Sequence, residues 1–226
     1  MPLVTPDSLV ATVDAVDDAF FFSRPINRAD RAAAAAFIAG RLGQPRSYAG
    51  LPAPTRDDLI HGAQVFTGEW IRSGAGLAHI FGEEACRALL LLDSPVGKQA
   101  LASTGAEMVR RLEEAEARGD RRGLYCCGKC SVSLWRHLAA GGLTHAERRL
   151  AAGLATLKSR RADTGRWNVF PFHYTLLALS EIDLPAARAE LQHAAPAVAR
   201  ALKRAPTGDK YDRRRRALAE RILSQA

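Results

Sequence analysis

Three of the chain's four cysteines lie in one short stretch, Tyr125-Cys126-Cys127-Gly128-Lys129-Cys130, where a loop rich in glycine and charge enters an apolar helix. The two-residue gap between Cys127 and Cys130 lets both sulfurs face one ion or each other. At a helix N-terminus the first sulfur meets backbone N–H groups and the positive end of the helix dipole. Both lower a thiol's pKa, and Lys129 acts in the same direction. Three chemistries stay open: a zinc or iron–sulfur site, a redox dithiol, or thiols packed as small hydrophobes. A closed zinc site takes four ligands. Cys126 is a candidate third sulfur, although adjacent cysteines rarely share an ion comfortably. Cys86, on a separate helix, is the only other cysteine. His137 stands seven residues past Cys130, about two turns away and too far to join it on one ion.

A second group lies upstream. His79 and Glu83 are four residues apart on one helix, with Glu69 and Arg72 before them, a spacing that suits a metal pair or an acid–base dyad. It suits an ordinary surface hydrogen bond equally well, and that is the expectation here. No glycine-rich phosphate loop, nucleophile elbow or HExxH is present.

A third region runs Asp163-Thr-Gly-Arg-Trp167-Asn-Val-Phe170-Pro-Phe172-His173-Tyr174 and on into an apolar helix. A helix, then Asp-x-Gly-x-Trp, then an aromatic helix start resembles one repeat of the α/α-toroid proteins, the terpene cyclases and protein prenyltransferases. The match covers about residues 145–182. It implies that Trp167 staples adjacent helices, and that Phe170, Phe172, His173 and Tyr174 stand at the mouth of a groove for an apolar, isoprenoid-like chain. The chain has neither a DxDD nor a DDxxD motif, so the resemblance implies a partial toroid or scaffold, not a cyclase.

These groups sit in a chain of 226 residues, 47% hydrophobic, enough to bury a real core as one domain. No apolar run approaches the ~20 residues needed to cross a bilayer. The N-terminus lacks a basic segment followed by an apolar one, so a cytoplasmic protein with free thiols is expected. The abundance of alanine and arginine reads as a GC-rich bacterial background. The net charge is +8, and residues 200–221 carry nine basic groups against three acidic ones, a surplus of six. The run Arg213, Arg214, Arg215, Arg216 could face an acidic partner or nucleic acid, although no aromatic stacking set accompanies it.

The elements that must position these residues read as helices throughout. Capping residues and apolar stripes predict helices from a cap at Asp7 or Ser8 to about Phe22 and from Asn27 to a stop at Gly43. Thr55 and Asp58 form a capping box for a helix carrying Leu59 to Phe66. Further helices run from Ser73 to Leu92 and from Ser94-Pro95 to Gly119. After the cysteines, helices are expected over 131–140, from a Thr144–Glu147 capping box to about Arg161, from Pro171, and from Asp183 to about Arg204. A basic helix covers about 209–225. The fold class is all-α: nine or so short helices stacked as antiparallel helical hairpins, repeat-like or forming a partial α/α toroid.

Overall fold

The computed structural model describes residues 3–118 and 124–224. The Gly119 stop and most of the loop before the cysteines fall outside the described residues. Ten helices occur among the described residues, with two tiny antiparallel strand pairs, so the protein is all-α in its essentials. In chain order these are α1 (Leu9–Phe21), α2 (Arg28–Ala39), α3 (Arg56–His61), β1 (Ala63–Gln64), β2 (Trp70–Ile71), α4 (Gly74–Leu92) and α5 (Pro95–Ala117). Then come α6 (Gly128–Ala139), α7 (Ala146–Lys158), β3 (Arg161–Ala162), β4 (Arg166–Trp167), α8 (Phe172–Glu181), α9 (Pro185–Leu202) and α10 (Lys210–Leu223).

The helix starts follow local chemistry. Ser8, Asn27, Thr55, Ser73, Ser94 and Asp209 each accept a first-turn N–H through the side chain, using donors that have no partner inside the helix. Thr55 and Asp58 form the full capping box.

Four expectations fail locally. The helix after Thr55 stops at His61 instead of reaching Phe66. Gly62 adopts φ 69°, and the chain turns into the β1–β2 hairpin, pairing Ala63 with Ile71. Helix α2 ends at Ala39, capped at Gly40, and Gly43 lies in the loop beyond it. The Thr144–Glu147 box does not form. His145, at φ 54°, caps α7 without a side-chain bond. Finally, α6 begins at Gly128 with Cys127 as its cap, three residues earlier than expected, so Cys130 belongs to the first helical turn.

Helix α4 is the axis of the molecule. It packs against α6, α1, α2 and α5, with α3 on its flank. Residues 77–89 are buried without interruption, as a helix enclosed on all sides must be. On one side, Leu9, Val13 and Val16 of α1 and Ala34, Ala35 and Ile38 of α2 close over Ala85, Ala88, Leu89 and Leu92. On the other, a larger core joins α4 to α6 through α10 around Trp135, Leu138, Leu154, Leu176 and Leu218.

A candidate metal centre at the entry of the sixth helix

The site forms where α6 begins beside the second turn of α4. Cys127 is extended (φ −146°, ψ 171°) and ends the loop. Ser131 folds that loop back, donating to the Cys127 carbonyl (2.8 Å) while accepting the Tyr125 N–H (3.0 Å). Gly128 has no room for a side chain, because a Cβ there would lie 2.2 Å from the Val169 carbonyl oxygen. Lys129 reaches the Trp70 carbonyl (2.8 Å) and fastens α6 to the β1–β2 hairpin.

His79 comes down from α4 onto the sulfurs. Its Nδ1 lies 3.4 Å from Cys130 Sγ and 3.4 Å from Cys126 Sγ, and all three atoms fall within 4.8 Å of one another. Cys127 Sγ stands 3.5 Å from Cys130 Sγ without belonging to that compact triad. Tyr125 stacks on the imidazole at 4.4 Å and 11°, and Tyr48 meets it edge-on. Cys130 is buried, whereas Cys126 and Cys127 are exposed.

The electrostatics are set by burial. Burial, with help from Arg111, pulls the His79 pKa down to about 4, so the ring is neutral with a nitrogen lone pair to offer. Burial pushes the Cys130 and Cys126 thiols up. For Cys127 burial also acts upward, but the backbone N–H groups of Cys130 and Lys129 outweigh it and bring the thiol below its ordinary value. Chemically this is two sulfurs and one neutral imidazole nitrogen converging on a point, with a third sulfur beside them.

The residues singled out in the sequence are sorted by this geometry. Cys86 is not part of the cluster. It lies seven residues beyond His79, about 10 Å along α4, and its buried thiol is pushed up by burial and by Glu83. His79 and Glu83 do not form a surface pair. Both are buried, and they serve different partners: His79 the cysteines, Glu83 the ring of His137 (Nδ1 to Oε2, 2.5 Å). Glu69 accepts the Tyr174 N–H (3.0 Å), acting as a borrowed cap for α8, and Arg72 lies over the Trp70 ring.

The aromatic group fills core space. Trp167 Nε1 donates to Glu190 (2.8 Å), Phe170 stacks on Trp135, Phe172 lies under the Arg166 guanidinium, and the Tyr174 hydroxyl donates to Glu84. His173 stands 4.0 Å from Glu69. Burial and the nearby Arg215, Arg166 and Arg204 lower its pKa to about 4. The basic run of α10 is turned largely onto the protein itself. Arg214 bonds Asp14, Asp18 and the Phe66 carbonyl, Arg215 the Thr67 carbonyl, and Arg216 Asp212 and the Leu202 and Arg204 carbonyls. Arg213 faces Asp18.

Sequence reasoning missed a buried ionic cluster behind the site. Arg136 of α6 contacts Glu84 (2.6 Å), Glu181 (2.9 Å) and Asp17 (3.2 Å), while Arg87 holds Asp17 (2.5 Å) and Glu181 (2.8 Å). These bonds cross α1, α4, α6 and α8, and so fix the two helices that carry His79 and Cys130. The available signal was charge inside runs whose apolar neighbours bury them: Glu84 and Arg87 in α4, Arg136 in Leu-Trp-Arg-His-Leu.

No protein-family model matches the chain, and neither a curated protein nor a solved structure is significantly similar to it.

Proposed function

We propose that this is a metal-bearing helical protein in which His79 Nδ1, Cys126 Sγ and Cys130 Sγ hold one zinc ion. The observation that carries the reading is the pair of 3.4 Å sulfur–nitrogen separations. Zn–S bonds of ~2.3 Å and Zn–N bonds of ~2.0 Å at tetrahedral angles put the ligand atoms roughly 3.5 Å apart. The mixed sulfur and nitrogen set suits zinc, and the compactness of the triad leaves space for one ion, not for a multi-iron cluster. Burial of His79 and Cys130 shields two of the three ligands from bulk water, and the neutral ring supplies the lone pair. Thiolate ligation of this kind belongs with a reducing, cytoplasmic setting.

The test is metal content after purification without chelator. About one zinc per chain is expected, lost in His79→Ala, Cys126→Ser and Cys130→Ser and retained in Cys86→Ser. Metal-free protein, or loss of metal from Cys86→Ser alone, would refute the assignment. A second reading has one observation in its favour, the 3.5 Å between the sulfurs of exposed Cys127 and buried Cys130. In that reading Cys127 attacks a partner's disulfide, and Cys130 then displaces the reduced partner by closing a 127–130 bond of ~2.05 Å. Metal-free protein isolated with that bond would favour the dithiol over the ion.

A further inference from the structure

A cavity of about 590 Å³ opens over the cysteines, and Cys126, Cys127, Cys130 and His79 all stand in its wall. A zinc ion with three protein ligands keeps a fourth position for an exchangeable ligand, whereas a structural zinc is closed by a fourth side chain. The triad counts three, and its ligand residues border open volume. That combination is the mark of a site built to receive something.

The rest of the wall defines what it would receive. The cavity is also lined by Arg46 and Tyr48, from the loop after α2, and by the first turn of α4. Among the described residues no carboxylate lines the cavity, and Arg46 is the formally charged one apart from the titratable cluster. Ser73 Oγ takes the Gly76 N–H, while Gly74 and Ala75 bring their backbones to the wall at the positive end of a 19-residue helix.

We propose that this cavity binds a small organic anion, with a carboxylate held by Arg46 and the first turn of α4 and a donor atom on the fourth position of the ion. The proposal rests on the metal reading above, and Cys127 then stands beside the ion as a wall residue and not as its fourth ligand.

The test uses the full chain loaded with Co²⁺ in place of zinc, kept anaerobic, with the visible cobalt bands as readout. Mercaptoacetate brings a thiolate and a carboxylate; 2-mercaptoethylamine brings the same thiolate with a cation. Mercaptoacetate is expected to shift the bands with affinity at least about tenfold tighter than the amine. Arg46→Ala should abolish that preference and Arg46→Lys restore part of it. Bands indifferent to mercaptoacetate, or equal responses to the two thiols, overturn the proposal while leaving the metal reading in place. So does loss of one sulfur-to-cobalt charge-transfer contribution in Cys127→Ser, which would make Cys127 the fourth ligand. Failure to bind Co²⁺ at all removes both readings.

Discussion

At the scale of single residues, the cysteine loop owes its shape to contacts that residue type alone permits. Gly128 is one of them. Alanine there would drive its Cβ to 2.2 Å from the Val169 oxygen, and because the obstacle is backbone it cannot swing aside. Gly128→Ala is therefore expected to cost about 1–3 kcal/mol and to weaken metal binding by displacing the loop. Gly105 is the contrast, for a Cβ at that position in α5 meets nothing within 4 Å. Gly105→Ala should stabilise by roughly 0.5–1 kcal/mol through helix propensity and lost unfolded-state freedom. Urea unfolding of the two variants checks both signs, and equal effects would contradict the close approach at Gly128. The Glu83–His137 pair is the other constraint at this scale. Both groups are buried, and Glu83 Oε1 and His137 Nε2 each have no partner, so the one bond between them satisfies only half of each group.

At the scale of elements, the relation between α4 and α6 decides whether the site exists. Their shared ionic cluster sets two guanidinium groups against three carboxylates in the interior. Burial pushes the Glu84 carboxyl up, more than Arg136 pulls it down. At Glu181 burial acts upward too, but the guanidinium groups of Arg136 and Arg87 outweigh it and hold the group below the usual carboxylate range. Glu181 thus adds stability above the unfolded carboxylate pKa of ~4.3, lost as pH falls through its lower folded value. Glu84 adds stability on the acid side, lost as pH rises through its higher folded value. Removing one partner of such a cluster strands charge, at a cost of about 3–5 kcal/mol. Arg136→Met takes away the main counter-charge, so the remaining carboxylates titrate higher in the folded state than in the unfolded one. The folded variant then binds more protons, and its stability deficit should be smaller at pH 5 than at pH 8. Urea midpoints of parent and variant across that range measure it, and a deficit that grows on acidification would contradict the assignment.

At the scale of the whole molecule, α10 closes the fold and ties the two ends of the chain together. Arg214 is 3% exposed in its side chain and bonds Asp14 and Asp18 of α1, whereas Arg213, two-thirds exposed, only approaches Asp18 at 3.6 Å. Replacing Arg214 by alanine should cost about 3–5 kcal/mol, while Arg213→Ala should stay within about 1 kcal/mol. Similar losses at the two positions in thermal or urea unfolding would mean that α10 is not docked in this way. Four adjacent arginines that looked like one basic face are divided by helical rotation between buried ties and solvent.

The amino-acid sequence determined the all-α class, six side-chain caps, the extent of α4 and the gathering of three thiols at a helix entry. Each of these depends on neighbours within a few positions: an apolar stripe, a hydroxyl or carboxylate before a first turn, a Cys-x-x-Cys spacing. Only the tertiary structure decided that His79 belongs with Cys126 and Cys130, that Cys86 does not, and that Glu83 turns to His137. Helix α4 presents buried residues all round, so its sequence gives no single face from which a partner could be read, and His79, Glu83 and Cys86 look equally available. Their separation comes from where α6 crosses α4. That crossing is fixed by Arg136 and by the packing of Gly128 on the Val169 loop, contacts that join residues 41 to 119 positions apart.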